Sequence, residues 1–187
     1  MPLPDDLFAI VPGFLSLPEA ELLYRLALEV PKDGRIVEVG SYQGRSTIAL
    51  ALGAKEVGAM VWSIDHHPAY EEGDTSYGMS DNQAYYANIA HYEVGDVVKT
   101  LNMPSDQAWI TWTEEIDLLW IDGSHAYEDV KRDWYLWAGH ADVVAMHDTA
   151  NNYYPGVTKL VAEIIAGGEW EVSEVVDATT VFKRVMK

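Results

Sequence analysis

Residues 36–44 read IVEVGSYQG, a short apolar run that leads into a loop containing Gly40 and Gly44. An apolar run of this length is typical of a strand that is buried on both faces of a parallel sheet. Residues 46–52 continue as a predicted helix, which we expect to end at Gly53. The order strand, glycine loop, helix predicts the first βα unit of an α/β fold.

Further strands are predicted outward from this unit. Three apolar runs predict strands at residues 60–65, 118–122 and 142–146. A short third strand is expected to end near Val94. Residues 170–176 and 180–185 lie too close together for a crossover helix and predict an antiparallel hairpin. The predicted fold is α/β: a Rossmann-like, doubly wound sheet of seven strands, mostly parallel, with this C-terminal hairpin at its edge.

Helices are predicted between these strands. Ser16 and Glu19 form a capping-box pattern, with Pro18 in the first turn, before a helix that should end at Pro31. The spacing of apolar residues predicts further helices at residues 80–91, 127–137 and 157–165. We expect residues 1–187 to form one domain, in which residues 1–34 are a helical segment packed on the sheet.

The composition excludes several classes of function. The chain has 187 residues, a formal net charge of −18 and no cysteine. So negative a field repels nucleic acid and anionic membrane surfaces, and neither is an expected partner. The lack of cysteine excludes disulfides, cysteine-ligated zinc and thiol nucleophiles. With no targeting pattern and no apolar run of about 20 residues, the expected location is cytoplasmic.

Polar residues follow the predicted strands, where ligands bind in open α/β sheets. They are the loop 40–44, Asp65, Asp96, Asp122, and His147 with Asp148. The loop lacks the Gly-Lys-Ser/Thr ending of a phosphate loop, and it departs from G-x-G-x-x-G because only its first and last residues are glycine. A carboxylate after the second strand is placed to accept hydrogen bonds from two ribose hydroxyls. A cofactor with a ribose and little phosphate fits this pattern best.

Five segments together resemble the class I S-adenosylmethionine-dependent methyltransferases. They are residues 36–47, Ile64-Asp65-His66-His67, Gly95-Asp96, residues 121–125 (IDGSH) and residues 146–149 (MHDT). The nearest group is methyltransferase family 24, which is related to macrocin and catechol O-methyltransferases and to cephalosporin hydroxylase-like proteins. The resemblance runs from about Arg35 to Lys187, and it implies an enzyme that uses S-adenosyl-L-methionine.

The resemblance also implies roles for individual residues. Those expected to bind the cofactor are Glu38, Gly40, Ser41, Tyr42, Gly44, Ser46, Asp65, His66, Asp96, Val97 and Asp122. In this scheme Asp65 holds the ribose and Asp96 accepts from the adenine amino group. Glu38 either serves the methionine part through water or is a buried acid that holds loop amides.

The acceptor of the methyl group must lose a proton, so a base or a Lewis acid is expected beside it. The resemblance implies a divalent cation such as Mg²⁺ on Asp122 and Asp148 with water molecules, with His147 as an optional third ligand, because imidazole is a poor magnesium ligand. The alternative is a metal-free site in which His125 or His147 is the base and Asp122 assists. His125 could equally be a helix cap. An iron site built from both histidines and one acid is a further alternative.

The sequence leaves the acceptor open. We expect a small molecule that is methylated on oxygen, held under residues 68–79 and 151–156. The rival functions are a metal-dependent hydroxylase or hydrolase, a nicotinamide-dependent enzyme, and a nucleoside-binding protein without catalysis. The tryptophan content of the chain suggests a homodimer, with most tryptophans in the core or in a dimer face.

Overall fold

One sheet of seven strands is present in the computed structural model, which describes residues 3–67, 79–150 and 153–185. The strands are β1 (Arg35–Val39), β2 (Met60–Ile64), β3 (Val98–Leu101), β4 (Ile116–Ile121), β5 (Ala141–Met146), β6 (Trp170–Val176) and β7 (Thr179–Arg184). Their order is β3-β2-β1-β4-β5-β7-β6, and only the pairs that β7 makes with β5 and β6 are antiparallel. The predicted α/β sheet with its C-terminal hairpin is confirmed.

The helices are α1 (Leu7–Ile10), α2 (Leu17–Glu29), α3 (Arg45–Val57), α4 (Met79–His91), α5 (Ser105–Trp109), α6 (Tyr127–Trp137) and α7 (Pro155–Gly167). The predicted capping box is present at Ser16 and Glu19. The helices α1 and α5 were not predicted, because four or five residues are too few to show a helical period. Within the described ranges, no helix combines the length and the hydrophobicity that a membrane span requires.

Both faces of the sheet are covered. Leu118 and Trp120 of β4 lie in a hydrophobic cluster with α2, α3 and α4, whereas Leu119 and Ile121 lie in a second cluster with α6 and α7. Successive side chains of a strand point to opposite faces, so a run without polar residues marks a strand buried on both. Trp134 and Trp137 are buried as well, so these two tryptophans belong to the core. The expected homodimer stays a prediction.

The parallel registers bring the ends of four strands to one edge of the sheet. Val39 pairs with Ile64 on one side and with Ile121 on the other, and Ile121 pairs with Met146. The order reverses between β1 and β4, since β2 and β3 extend to one side and β5 to the other. This is the edge at which doubly wound sheets bind ligands.

The prediction for the third strand was wrong. Val94 is a buried residue in the turn after α4, and β3 follows Asp96 and Val97 instead of preceding them. Both residues therefore lie at the amino-terminal edge of the sheet, where Asp96 accepts a hydrogen bond from Lys55 Nζ at 3.0 Å. They are not at the edge that carries Asp65, so Asp96 is not placed to accept from the adenine of a cofactor bound at that edge.

Helix α3 continues through Gly53, where we expected it to end, and stops at Gly58, which has a φ of +78°. Gly53 lies against α2. A methyl group built on it would be 2.6 Å from the carbonyl oxygen of Tyr24 and 2.7 Å from Cβ of Ala27. The glycine is therefore needed for the close approach of two helices, and it does not mark a terminus.

We expect Gly53→Ala to lower the free energy of unfolding by about 1–3 kcal/mol, because the added methyl group must push α2 and α3 apart. Gly167→Ala is the matched control. Its new methyl group meets nothing within 4 Å, so alanine should stabilise α7 by about 0.5–1 kcal/mol. Urea unfolding followed by circular dichroism measures both, and a stabilised Gly53→Ala would contradict the close-packing explanation.

Candidate active site

The loop after β1 crosses the end of β4 at very short range. Gly40 N donates to Ile64 O at 2.9 Å, and Asp122 N donates to Val39 O at 2.8 Å. Gly40 has a φ of +90°, and a Cβ built on it would be 2.2 Å from the carbonyl oxygen of Asp122. Only glycine allows this crossing. The predicted neighbours Gly40 and Asp122 are thus brought together.

Asp65 holds the shape of the glycine loop. Its Oδ2 accepts hydrogen bonds from the amides of Ser41 at 2.9 Å and Tyr42 at 3.0 Å, and its Oδ1 accepts from the amide of His67 at 2.9 Å. Tyr42 has a φ of +48°, so these contacts maintain an uncommon backbone conformation. The Asp65 side chain stays 16% exposed and can still meet a ligand.

Glu38 is fully buried beneath α3. Its two carboxylate oxygens accept hydrogen bonds from the hydroxyls of Ser46 and Thr47, both at 2.6 Å. The acid therefore anchors the first turn of α3 through these hydroxyls, and no loop amide donates to it within the described part of the chain. Burial raises the pKa of Glu38 to about 7, although both hydroxyls act in the opposite direction.

The raised pKa of Glu38 gives a pH dependence of stability. The unfolded carboxyl ionises near pH 4.5 and the folded one near 7. The native state therefore binds more protons between these values, and its stability falls as the pH rises through them. Over this pH range the free energy of unfolding of the wild type should fall by up to about 3 kcal/mol, and we expect Glu38→Gln to remove this fall.

Urea unfolding at several pH values measures this effect as the difference between the wild type and Glu38→Gln. The control is Glu21→Gln on the exposed face of α2, which should keep the wild-type profile. Parallel profiles for the wild type and Glu38→Gln would show that Glu38 does not titrate in this range.

The two histidines after β2 differ in burial. His66, the predicted cofactor contact, is 58% exposed in its side chain, whereas His67 is buried and packs on the ring of Tyr85 with centroids 5.4 Å apart. No sequence signal separates two adjacent histidines in a loop. Residues 68–78 and 151–152, which include most of the expected acceptor walls, lie outside the described residues.

His125 forms a pair with Asp148. Its Nε2 lies 2.7 Å from Asp148 Oδ2, and its ring stacks on Tyr154 with centroids 3.9 Å apart. Gly156 in the first turn of α7 approaches so closely that a Cβ there would be 2.5 Å from the His125 carbonyl oxygen. The carboxylate and the aromatic ring hold the imidazole, and the helix end packs on the backbone of the same residue. The His125 side chain remains 30% exposed.

His147 is buried among carboxylates. Its Nδ1 lies 3.1 Å from Asp122 Oδ1 and 3.3 Å from Asp148 Oδ2, and its Nε2 lies 3.3 Å from Glu19 Oε1. Burial alone lowers the pKa of the imidazole, but the three carboxylates outweigh it and raise the pKa to about 12. The carboxylates around His147 therefore favour the charged form of its ring, and its Nε2 has no hydrogen-bond partner among the described residues.

Glu19 is a residue of this site that sequence reasoning missed. Its Oε2 accepts from the amide of Ser16, and its Oε1 accepts from the amide of Ala178 at 3.0 Å and the hydroxyl of Thr179 at 2.9 Å. Burial opposes its ionisation, but His147 and these donors lower its pKa to about 2. The sequence showed only a capping residue, because nothing in it links α2 to the end of β5.

Comparison with protein families supports the reading of this edge of the sheet. Residues 37–149 match the family model described as a methyltransferase domain. The match covers more than half of the chain and runs from β1 to the residues after β5. The chain belongs to this methyltransferase family.

Solved structures share the methyltransferase fold. One is the methyltransferase PaMTH1 of Podospora anserina with SAH, at 18% identity and a TM-score of 0.72, over 98% of this chain and 89% of that one. Another is the O-methyltransferase TomG of Streptomyces achromogenes with SAM, at 18% identity and a TM-score of 0.69, over 92% of this chain and 82% of that one. A Bacillus cereus O-methyltransferase with SAH matches at 17% identity and a TM-score of 0.67, over 94% of this chain and 86% of that one.

The methyltransferase has a group of side chains that could hold a divalent cation, and this group includes two of the three predicted ligands. Asp122, His125 and Asp148 place one ligand atom each within 4.8 Å of one another, but both ring nitrogens of His147 face carboxylates. Magnesium prefers oxygen ligands and is commonly held by one or two carboxylates together with water, so Asp122 and Asp148 fit such an ion, although each also contacts an imidazole. The predicted roles of His147 in the magnesium site and in the iron site stay predictions.

Proposed function

We propose that this chain is a single-domain, S-adenosylmethionine-dependent O-methyltransferase of a small molecule, with His125 as the base. The observation that carries the proposal is the His125–Asp148 pair, which lies beside Asp122 at the edge where Gly40 crosses β4. A base next to a cofactor loop is what transfer to a hydroxyl requires. The net charge of −18 favours a small acceptor over nucleic acid.

The cofactor would be held by the loop 40–44 and by Asp65. Helix α3 begins after Gly44 without a side-chain cap, so its first-turn amides can receive the cofactor carboxylate. The described hydrogen bonds of Asp65 Oδ1 leave it able to accept from a ribose hydroxyl. When bound, S-adenosylmethionine supplies a methyl group on a positively charged sulfur, which keeps the C–S electron pair as the acceptor oxygen attacks.

His125 would remove the proton of the acceptor. An imidazole that donates from Nε2 to Asp148 carries its lone pair on Nδ1, so Nδ1 takes the hydroxyl proton as the new O–C bond forms. The proton stays on His125, and the negative charge of Asp148 stabilises the resulting imidazolium. Tyr154 limits rotation of the ring through stacking. A solvent base then restores neutral His125.

Isothermal titration with S-adenosylmethionine and S-adenosylhomocysteine tests the cofactor assignment. We expect both to bind the wild type, and Asp65→Ala to weaken binding by about 1–3 kcal/mol through the lost ribose and loop contacts. The control is Asp96→Ala at the opposite edge, which should bind like the wild type. Folded wild-type protein that gives no heat with either compound would refute the proposal. Release of S-adenosylhomocysteine with a panel of phenols and aliphatic alcohols then identifies the acceptor class.

A further inference from the structure

An arginine ties the chain before α2 to the start of α3. Arg45 is the first residue of α3 and directly follows the loop 40–44. Its Nε and Nη2 donate to the carbonyl oxygen of Val11 at 2.9 and 2.6 Å, and its Nη1 donates to those of Gly13 at 2.8 Å and Leu15 at 2.9 Å. Because the guanidinium is planar and rigid, these four bonds fix the path of the backbone in residues 11–16, which we call segment 11–16.

Segment 11–16 holds one apolar ring outside the core. Val11 and Leu15 are buried, whereas Phe14 is 78% exposed. The ring of Phe14 contacts that of Tyr42 in the loop 40–44, with centroids 5.8 Å apart. The backbone on both sides of this contact is fixed, since Asp65 accepts from the amide of Tyr42. An apolar surface that is already ordered can be covered by a ligand at little cost in conformational entropy.

Segment 11–16 also borders the functional edge of the sheet. The arginine holds it beside β1, and at its other end Ser16 Oγ donates to Asp177 Oδ2 at 2.6 Å in the β6–β7 turn. This turn lies at the end of β5, because Thr180 pairs with Met146. In the strand order, β4 and β5 lie between β1 and β7. The segment therefore runs past the strand ends that carry the proposed cofactor loop and the proposed base.

We propose that Arg45 is a positioning residue for the methyl acceptor, because it fixes Phe14 beside Tyr42 as an aromatic wall on which the apolar body of the acceptor packs. The inference rests on the proposed function, since it concerns the acceptor of that site. Four of the five N–H groups of Arg45 are used in the described contacts, so its role is to hold backbone and not to bind an anion.

Limited proteolysis with chymotrypsin, which cleaves after phenylalanine, tests the clamp without any acceptor. Cleavage after Phe14 requires the segment to leave Arg45, so we expect the wild type to resist it. Arg45→Met should be cut there at least about tenfold faster, as mass spectrometry of the fragments can show. The control is Arg25→Met, which removes an arginine and its ion pairs from α2 and should resist like the wild type.

Equal rates of cleavage after Phe14 in the wild type and in Arg45→Met would overturn the proposal. If circular dichroism shows that Arg45→Met does not fold, Arg45→Lys takes its place. Lysine keeps the charge but lacks the planar fork, so this variant should also be cut faster than the wild type. Cleavage of Arg45→Lys at the wild-type rate would contradict the clamp in the same way.

Isothermal titration of 2-naphthol, a hydroxyl on an apolar body, into the S-adenosylhomocysteine complex tests the aromatic wall. We expect Phe14→Ala and Arg45→Met each to weaken binding about tenfold, and the double variant to lose no more than either, because Arg45 acts through Phe14. The affinity for S-adenosylhomocysteine should not change in any of them. Phe14→Ala should fold like the wild type, since the ring is mostly exposed.

Wild-type affinity of Phe14→Ala for 2-naphthol, or additive losses in the double variant, would overturn the proposal. A wild-type complex that binds S-adenosylhomocysteine but not 2-naphthol would also overturn it and leave the proposed function standing. Wild-type protein that fails to bind S-adenosylhomocysteine would refute the proposed function, and this inference with it. With the acceptor found in the panel, Phe14→Ala should raise KM and leave kcat unchanged, because the wall is distant from the transferring proton.

Discussion

Glu19→Ala should lower the free energy of unfolding by about 3–5 kcal/mol, the range seen when one partner of a buried ion pair is removed. An ordinary helix cap contributes only about 1 kcal/mol. The larger effect is expected because the variant removes the carboxylate that faces His147. It also leaves the amide of Ala178 and the hydroxyl of Thr179 without their hydrogen-bond acceptor. Groups that are buried without a partner carry a desolvation cost.

Urea unfolding at pH 7 measures this loss. Glu21→Ala, on the exposed face of the same helix, is the matched control and should lie within about 0.5 kcal/mol of the wild type. Glu19→Gln keeps a hydrogen-bond acceptor for the hairpin but not the charge. Its free energy of unfolding should lie between those of Glu19→Ala and Glu21→Ala. If Glu19→Ala cost no more than a cap, the ion pair with His147 would contribute nothing to stability.

His125→Asn should lower the rate of methyl transfer by about 10²–10⁴-fold, the usual contribution of a general base. The affinity for S-adenosylmethionine should not change, because the loop 40–44 and Asp65 remain. Stability should change little as well, since the His125 side chain is 30% exposed. The fall should appear in kcat, because the lost interaction is with the transferring proton.

Release of S-adenosylhomocysteine, with the acceptor found in the panel, measures this rate. Tyr154→Phe keeps the ring that stacks on His125 and should retain most of the activity, whereas Tyr154→Ala should lose part of it. His91→Ala, which changes a histidine on α4 far from the edge, should be as active as the wild type. A His125→Asn protein with the wild-type rate would remove His125 from the mechanism.

The order of elements and the functional edge could be predicted because their signals are local. The apolar run 36–39, the glycine loop after it and the acids after β2 and β4 each lie within a few residues of one another. Parallel pairing then requires these strand ends to share one edge. The same reasoning placed Gly40, Asp65, Asp122 and Asp148 correctly at that edge.

The errors arose where packing overrode a local signal. Val94 resembles a strand residue because it is apolar and β-branched, but it is a buried residue in the turn after α4. The prediction therefore placed Asp96 after the third strand, whereas Asp96 precedes β3. Gly53 resembles a helix end, although it serves a contact with α2. The contact between His147 and Glu19 could not be predicted, because no sequence pattern joins residues so distant along the chain.

The contact between Glu19 and Thr179 spans 160 residues. A chain leaving the ribosome exposes α2 early, and the β6–β7 turn emerges only near the end of synthesis. Pairings of such long sequence separation form late, because the intervening loop must close first. Until then Glu19 lacks its hydrogen-bond donors Ala178 and Thr179. We therefore expect the contacts of Glu19 with the β6–β7 turn to form among the last steps of folding.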